Sequence, residues 1–322
     1  MYVLGIETSC DETSAAIVKD GESVLSNIVS SSLSFHKKYG GVIPEIASRM
    51  QLETIASVVD SAVKQAKVKL KDINLIGVTN QPGLLGSLLV GISFAKTLSL
   101  SLEVPLIEVD HLYSHIYANF LDRHQIKLPA VALVVSGGHT SLFYLEDFKE
   151  IKLLGSTQDD ACGEAFDKVA KILGLGYPGG PIIEKISRKG NPKKIKFACS
   201  NTREPLDFSF SGIKTAVLYY VRSLRLATCD LKHKRYDIAA SFQESVIDAL
   251  IKKSFLACKL TESERLVIGG GVAANNRLRE KFFQQAHQIG IGCFFPSQQL
   301  CMDNAAMVAG LGCRLFKNGK RR

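Results

Sequence analysis

Two histidines four residues apart, His111 and His115, are the side chains of this 322-residue chain best suited to hold an ion. On a helix, positions i and i+4 share a face, so both imidazoles can reach one metal. The zinc-protease form of this spacing needs a glutamate directly after the first histidine as general base, and that position is Leu112. Peptide hydrolysis is therefore disfavoured, and an ion here would serve as Lewis acid or template. Two helix-surface histidines without a metal are the alternative. Further along, VSGGHT (135–140) follows PAVALV, an apolar run that reads as a buried strand. Two glycines straight after a strand let backbone N–H groups close on an anion, although a plain hairpin turn can carry the same residues.

The elements that must position these groups repeat. At the N-terminus YVLGIE reads as a strand, TSCDET as a polar turn and SAAIVK as a second strand, and VALVVSGGHTSLFYL has the same grammar. A duplicated fold is expected, with one phosphate loop per half facing a shared cleft. A third element, LVIGGGVAANN (266–276), runs from strand through three glycines into a helical pattern, which is an anion or nucleotide site by design. It lacks the G-x-G-x-x-G spacing, and no G-K-[ST] sequence occurs, so dinucleotide-binding and P-loop folds are both disfavoured. Strands alternate with long helical patterns, which points to α/β layers. LIGVT and PLIEV read as strands of the first half. Helical runs are expected at 164–173, 213–225 and 238–257, and at 304–316, where the last packs back on the first half. Leu52, Ile55, Val58, Val59, Ala62, Val63 and Ala66 form one apolar stripe that belongs to a core.

With these motifs in order, the chain resembles the universal tRNA threonylcarbamoyladenosine transferase family, TsaD in bacteria, once labelled a glycoprotease. The matching segments are IETSCDET, YGGVIPEIASR, HLYSH, VSGGHT, GEAFDKVAKILGLGYPGGP, FSFSGIKTA, GGGVAANNRLR and CMDNAAM, spread over nearly the whole chain. The resemblance implies two duplicated actin/Hsp70-like (ASKHA) ATPase-fold lobes around a nucleotide and metal cleft. The lobes are expected at 1–110, joined by the last helix (304–322), and at 111–303. Some positions depart from the family. Gln51 stands where histidine is usual, Gln81 replaces the first glycine of G-P-G-L, Met302 replaces a threonine, and Val134 stands where archaeal relatives carry a tyrosine.

Residue by residue, the resemblance implies that His111, His115 and Asp303 hold one divalent metal, iron(II) in the first instance and zinc as the alternative. From sequence alone, Asp303 reads equally well as an N-cap ahead of NAAMVAGL. The resemblance also implies that Val134, Val135, Ser136, Gly137 and Gly138 contact the phosphate and acyl part of a nucleotide. Asp167, Gly180 and Glu184 would hold the ribose, and Asn275 would lie near the adenosine. Asp167 could equally be an exposed helix residue. Lys214 could neutralise phosphate or pair with a carboxylate.

The implied reaction moves a threonylcarbamoyl group from threonylcarbamoyl-AMP to the N6 amine of the adenosine 3′ of the anticodon, in tRNAs reading codons that begin with A. The donor is a mixed anhydride, already activated, so no Ser, Cys or Lys nucleophile is required. Asp11 and Glu12 are the candidates for taking the amine proton or orienting the base, and shaping the turn is their other reading. The implied partners are tRNA, a degenerate paralogue of the same fold (TsaB) and a small ATPase (TsaE). Two rival classes are a nucleotide-dependent switch ATPase, which would use carboxylate-held magnesium instead of a histidine pair, and a noncatalytic tRNA-binding scaffold, which would have lost the metal residues.

Composition agrees. The net charge is +9, with basic clusters RKGNPKKIK (188–196), KHKR (232–235) and KNGKRR (317–322), and a basic excess favours an anionic partner such as RNA. Eight cysteines without a C-x-x-C pair suit reduced thiols, and the chain opens directly into a strand, so a cytoplasmic protein without a signal peptide is expected. The apolar segment 84–102 is interrupted by Lys96 and several serines and is expected to be a buried helix between parallel strands, not a membrane span.

Overall fold

A computed structural model describes residues 1–121, 126–226 and 231–319. The chain divides into two compact units, Met1–Ile126 with Pro296–Arg322, and Lys127–Phe295. The first unit thus extends beyond residue 110 and includes both histidines of the HLYSH segment. The helix carrying them packs on the last helix of the chain, and this long-range contact sets the boundary.

In the first unit β1 (Tyr2–Glu7), β2 (Glu12–Lys19) and β3 (Ser23–Ser31) form an antiparallel meander. A single helical turn α1 (Leu33–His36) and the long α2 (Pro44–Gln65) lead to β4 (Ile73–Gln81), then α3 (Leu85–Leu102), β5 (Leu106–Asp110) and α4 (His111–Tyr117). The sheet order is β3-β2-β1-β4-β5, with β4 parallel to β1 and to β5. β1 and β2 are buried along almost their whole length, as their near-continuous apolar runs require of strands covered on both faces.

The second unit repeats this wiring. β6 (Ala130–Val135), β7 (Thr140–Leu145) and β8 (Ile151–Ser156) form the meander. α5 (Cys162–Ile172), α6 (Gly179–Ser187), α7 (Ser211–Leu226) and α8 (Leu231–Leu260) precede β9 (Arg265–Gly269), then α9 (Asn276–Ile289) and β10 (Gly292–Phe294) follow. The order β10-β9-β6-β7-β8 matches the first sheet element for element. The duplication expected from the strand, polar turn, strand grammar is therefore present in the backbone. Both phosphate-loop candidates are turns of antiparallel hairpins, and the expected helical runs correspond to α5, α7, α8 and α10 (Ala305–Lys317).

α10 packs on β1, β2 and β4, so the end of the chain completes the core of its beginning. Ser14 fastens the two: its hydroxyl accepts from the Ala305 amide (2.9 Å) and donates to the Ile28 carbonyl (2.8 Å). Replacing Ser14 with Ala removes the partner of a buried amide and one donor to a part-buried carbonyl, and we expect about 1–3 kcal/mol less stability, read by denaturant unfolding.

Two expectations about burial are corrected. Ile55, Val58, Val59, Ala62 and Val63 lie in the core with Leu4, Ile6 and Ile76, but Leu52 is 69% exposed. α3 does connect parallel strands β4 and β5, yet it buries only Ser87, Leu88, Gly91 and Ala95, while Leu85, Leu89 and Leu100 are exposed. By length and composition α3 could cross a membrane, with 22% of it buried within the chain. Of the basic clusters, residues 320–322 and the side chains of Lys232 and His233 lie outside the described residues.

Candidate functional site

β5 ends at Asp110, whose carboxylate caps α4 by accepting from the amides of Leu112 (2.8 Å) and Tyr113 (3.2 Å). This cap starts a helix at His111, so His111 and His115 project from one face, their ring centroids 4.6 Å apart. Asp303 faces both, its Oδ1 being 3.1 Å from His115 Nε2 and 3.6 Å from His111 Nε2. One ligand atom from each of the three lies within 4.8 Å of the others. The N-cap role that sequence allowed Asp303 falls to its neighbour: Asn304 accepts from the Met307 amide (3.1 Å) to cap α10.

Two residues that sequence reasoning missed stand behind His111. Its Nδ1 lies 3.0 Å from Glu7 Oε2 and 3.1 Å from Ser9 Oγ. Glu7 is fully buried and also accepts from the Thr79 hydroxyl (2.7 Å) and the Ser9 amide (2.5 Å). The signal was present: a glutamate closes an otherwise apolar strand just before a polar turn. A carboxylate on the far nitrogen orients a ligating imidazole and fixes which nitrogen is available. Burial alone would lower the His111 pKa, but Asp303 and Glu7 outweigh it and hold it up to about 9. Burial raises Glu7 in turn, and the facing imidazole more than offsets it, holding the carboxyl below its usual range. The buried Glu7 and the half-buried Asp303 thus favour a positive charge between them. An imidazolium supplies it, and a divalent cation could supply it instead, so the donor set fits a metal with two imidazoles and one carboxylate.

The first polar turn runs beside this cluster and carries Asp11 and Glu12. Glu12 is pushed up to about 10 by burial and by the charges of Asp303 and Asp11, with its Oε1 3.4 Å from the Ser31 hydroxyl. Gln51, from α2, organises the turn. Its amide nitrogen donates to the carbonyls of Cys10 (2.9 Å), Glu12 (3.0 Å) and Thr8 (3.3 Å), so the residue standing in the usual histidine's place holds the loop from beneath. A Gln51→Leu variant removes the donor from three carbonyls. We expect a loss of about 1–3 kcal/mol by thermal unfolding, part of which Gln51→His restores. The other departures are mild. Met302 is 53% exposed and its carbonyl accepts from Asn304 (2.8 Å), a contact any side chain permits. Gln81 reaches Asp110 Oδ2 at 3.5 Å.

In the second unit the Gly-rich turn begins at Ser136. Val134 and Val135 lie inside β6, fully buried, and Ser136 to Gly138 form the turn that follows. The Ser136 amide donates to the His139 carbonyl (2.8 Å), which closes the turn, and a Cβ on Gly137 or Gly138 would meet no atom within 4 Å. The Gly163 amide donates to the Ser136 carbonyl (3.1 Å), which sets the N-terminus of the 11-residue α5 against the turn. A helix N-terminus and two glycines with open space around them favour an anion.

Asp167 is half-buried, not an exposed helix residue. It accepts from the Gly179 amide (2.6 Å) at the start of α6, and burial raises its pKa despite that bond. Gly180 is next to it, with open space where a Cβ would be. Glu184 Oε1 accepts from Arg188 (3.0 Å) and from Asn276 Nδ2 (2.8 Å). Asn275 caps α9 by accepting from the Leu278 amide (3.0 Å) and donates to Gln243 Oε1 (2.9 Å). Glu184, Ala240, Gln243, Asn276 and Arg277 help line a cavity of about 300 Å³ within this unit, large enough for a small ring system. Lys214 takes the second of its two roles, since it pairs with Asp160 (2.8 Å), which also holds Lys168 (2.6 Å). The seven described cysteines are free thiols.

Comparison with known proteins gives this arrangement a lineage. The family described as TsaD, tRNA N6-adenosine threonylcarbamoyltransferase, matches residues 23–310. The chain belongs to this family. It is 50% identical over 310 residues to the tRNA N6-adenosine threonylcarbamoyltransferase of Clostridium kluyveri, covering 96% of this chain and 90% of that one. It is 50% identical over 319 residues to the protein of the same name from Dictyoglomus turgidum, covering 99% and 95%. Component A of the (R)-2-hydroxyglutaryl-CoA dehydratase of Acidaminococcus fermentans superposes with a TM-score of 0.59 over 98% of this chain and 99% of its own, at 15% identity, which speaks to the shared ASKHA fold.

Proposed function

We propose that this TsaD family member transfers a threonylcarbamoyl group from threonylcarbamoyl-AMP to the N6 amine of the adenosine 3′ of the anticodon, in tRNAs reading codons that begin with A. The observation that carries the reading is the His111, His115 and Asp303 cluster with Glu7 behind it, in a chain that aligns with named transferases over nearly its full length. A switch ATPase or a degenerate scaffold has no need to maintain two buried imidazoles against two carboxylates.

In the reaction the amine nitrogen bonds to the carbamoyl carbon, and the carbon–oxygen bond to the phosphate breaks. AMP leaves with the electron pair, and the amine gives up one proton. The chain's part is to bind, orient and accept. The glycine amides of the 136–138 turn and the N-terminus of α5 would stabilise the departing phosphate. Asp167 and Gly180 would position the ribose, and Glu184, Asn275 and the cavity beside them would receive the adenosine side. Asp11, at the rim of the first turn, is the candidate for taking the amine proton, with Glu12 beside it. His111, His115 and Asp303 would hold a divalent metal, iron(II) before zinc, which supplies electrophilic stabilisation when bound. The exposed leucines of α3, Leu85 and Leu89, offer a docking face for a TsaB-like paralogue, with a TsaE-like ATPase as third partner in the cytoplasm.

The test incubates the purified chain with its presumed partners, threonylcarbamoyl-AMP and unmodified tRNA, and seeks threonylcarbamoyladenosine in the digested tRNA by mass spectrometry. Product that requires this chain supports the reading. Bare tRNA binding or ATP hydrolysis without product would move it to the scaffold or switch class.

A further inference from the structure

In the second unit, α8 carries Asp237, Ser241 and Ser245 at four-residue intervals, hence on one face. All three grip the segment that follows α6. Asp237 accepts from the Asn191 amide (2.7 Å). The fully buried Ser241 hydroxyl accepts from the Ile195 amide (3.2 Å) and donates to the Asn191 carbonyl (3.3 Å), and Ser245 donates to the Phe197 carbonyl (2.9 Å). Within the segment the Lys193 amide donates to Asn191 Oδ1 (2.9 Å) and the Lys194 amide to the Asn191 carbonyl (3.2 Å), which closes a turn. Gly190 lies so near the helix that a Cβ there would meet the Tyr236 carbonyl at 2.0 Å.

The ladder fixes the backbone and leaves the cations outward. Lys193, Lys194 and Lys196 are exposed, and none forms an ion pair among the described residues. The acids nearby are already engaged: Asp237 by the Asn191 amide, Glu184 by Arg188 and Asn276, and Glu244 by Arg277 (2.9 Å) and Lys281 (2.7 Å). An unanchored loop would spend backbone entropy when a partner orders it, whereas here the backbone that carries the three lysines is already held. Uncompensated cations on a fixed backbone suit a polyanion whose charges are regularly spaced.

We propose that the turn at 190–197 contacts the sugar-phosphate backbone of the tRNA, with the Asp237, Ser241 and Ser245 ladder holding it in register. The proposal rests on the transferase reading above. The experiment measures binding of unmodified tRNA to the full chain across a salt series, for the wild type, K193A/K194A/K196A, the corresponding triple arginine variant and S241A. The triple alanine variant should bind at least tenfold more weakly, and its slope of log affinity against log salt should fall by about 2, since each phosphate contact contributes roughly 0.7–0.9. Its thermal midpoint should be unchanged, because among the described residues these side chains form no ion pair. The arginine variant should keep both affinity and slope. S241A should weaken binding about two- to fivefold with the slope retained, because it loosens the turn without removing charge. A triple alanine variant with wild-type affinity and slope would overturn the surface while leaving the transferase reading intact. A wild-type chain that binds no tRNA even with its presumed partners present would overturn both.

Discussion

Replacing His111 and His115 together with alanine should abolish binding of the divalent metal proposed for this site and lower threonylcarbamoyl transfer by at least about a thousandfold, the scale of several kcal/mol of lost charge stabilisation. The geometry says why neither histidine can be spared. Asp303 Oδ1 faces both rings at 3.1 and 3.6 Å, so removing the two leaves a single carboxylate, which does not retain a transition metal by itself. The double variant carries a second cost. Without His111 the fully buried Glu7 keeps only the Thr79 hydroxyl and the Ser9 amide, and a buried carboxylate stripped of its cation is destabilising by about 3–5 kcal/mol. H115A alone separates the effects, since His115 does not touch Glu7. It should lose metal and transfer with a much smaller change in melting temperature. Elemental analysis reads the first, tRNA mass spectrometry the second and calorimetry the third. Full turnover by metal-free double variant would sink the role given to the cluster.

The second large effect is structural. Gly270, which links β9 to the helical turn before α9, has φ +95°, and a Cβ there would meet the carbonyl oxygen of Val135 at 2.4 Å and its carbon at 2.7 Å. The obstacle is backbone of the central strand β6, which cannot swing aside as a side chain could. Gly270→Val combines a strained dihedral, of order 1–3 kcal/mol, with overpacking of similar size. We expect about 4 kcal/mol or more of destabilisation, seen as collapse of soluble yield and a lower unfolding midpoint, where a marginally stable domain has little to lose. A variant that folds with wild-type stability would show that β6 and the Gly-rich turn are not in the close contact described.

Much of this was legible in the amino-acid sequence, for identifiable reasons. Strands β1 and β6 are largely apolar runs followed by small polar turns, so the repeated strand, turn, strand unit could be read from pattern, while the order of the strands in each sheet could not. What pattern cannot carry is long-range contact. Asp303 lies 188 residues from His115, and no local signal pairs them; the family resemblance did. Nor does a helical stripe say what covers it: Leu52 fits the period of Ile55 and Val59 and yet faces out, and the leucines of α3 do the same. Glu7, and the holding role of Gln51, escaped for a different reason. Each acts by holding something else, a ring nitrogen or three carbonyls, and such roles depend on geometry that residue type alone does not encode. The limits of the glycine turn were also finer than the motif, since strand pairing takes in Val134 and Val135.

The division of the chain, with Lys127–Phe295 contiguous and the other unit assembled from both ends, imposes an order on biosynthesis. Domains fold as units while a chain emerges from the ribosome at about 5–20 residues per second. The contiguous unit is complete in sequence before α10 has been made, so it can fold while the N-terminal strands still lack the helix that covers them. Asp303 is translated only after the whole of the contiguous unit. The nascent chain therefore presents two histidines without their carboxylate until the contiguous unit has been made, so the three-residue cluster can assemble only as the first unit closes.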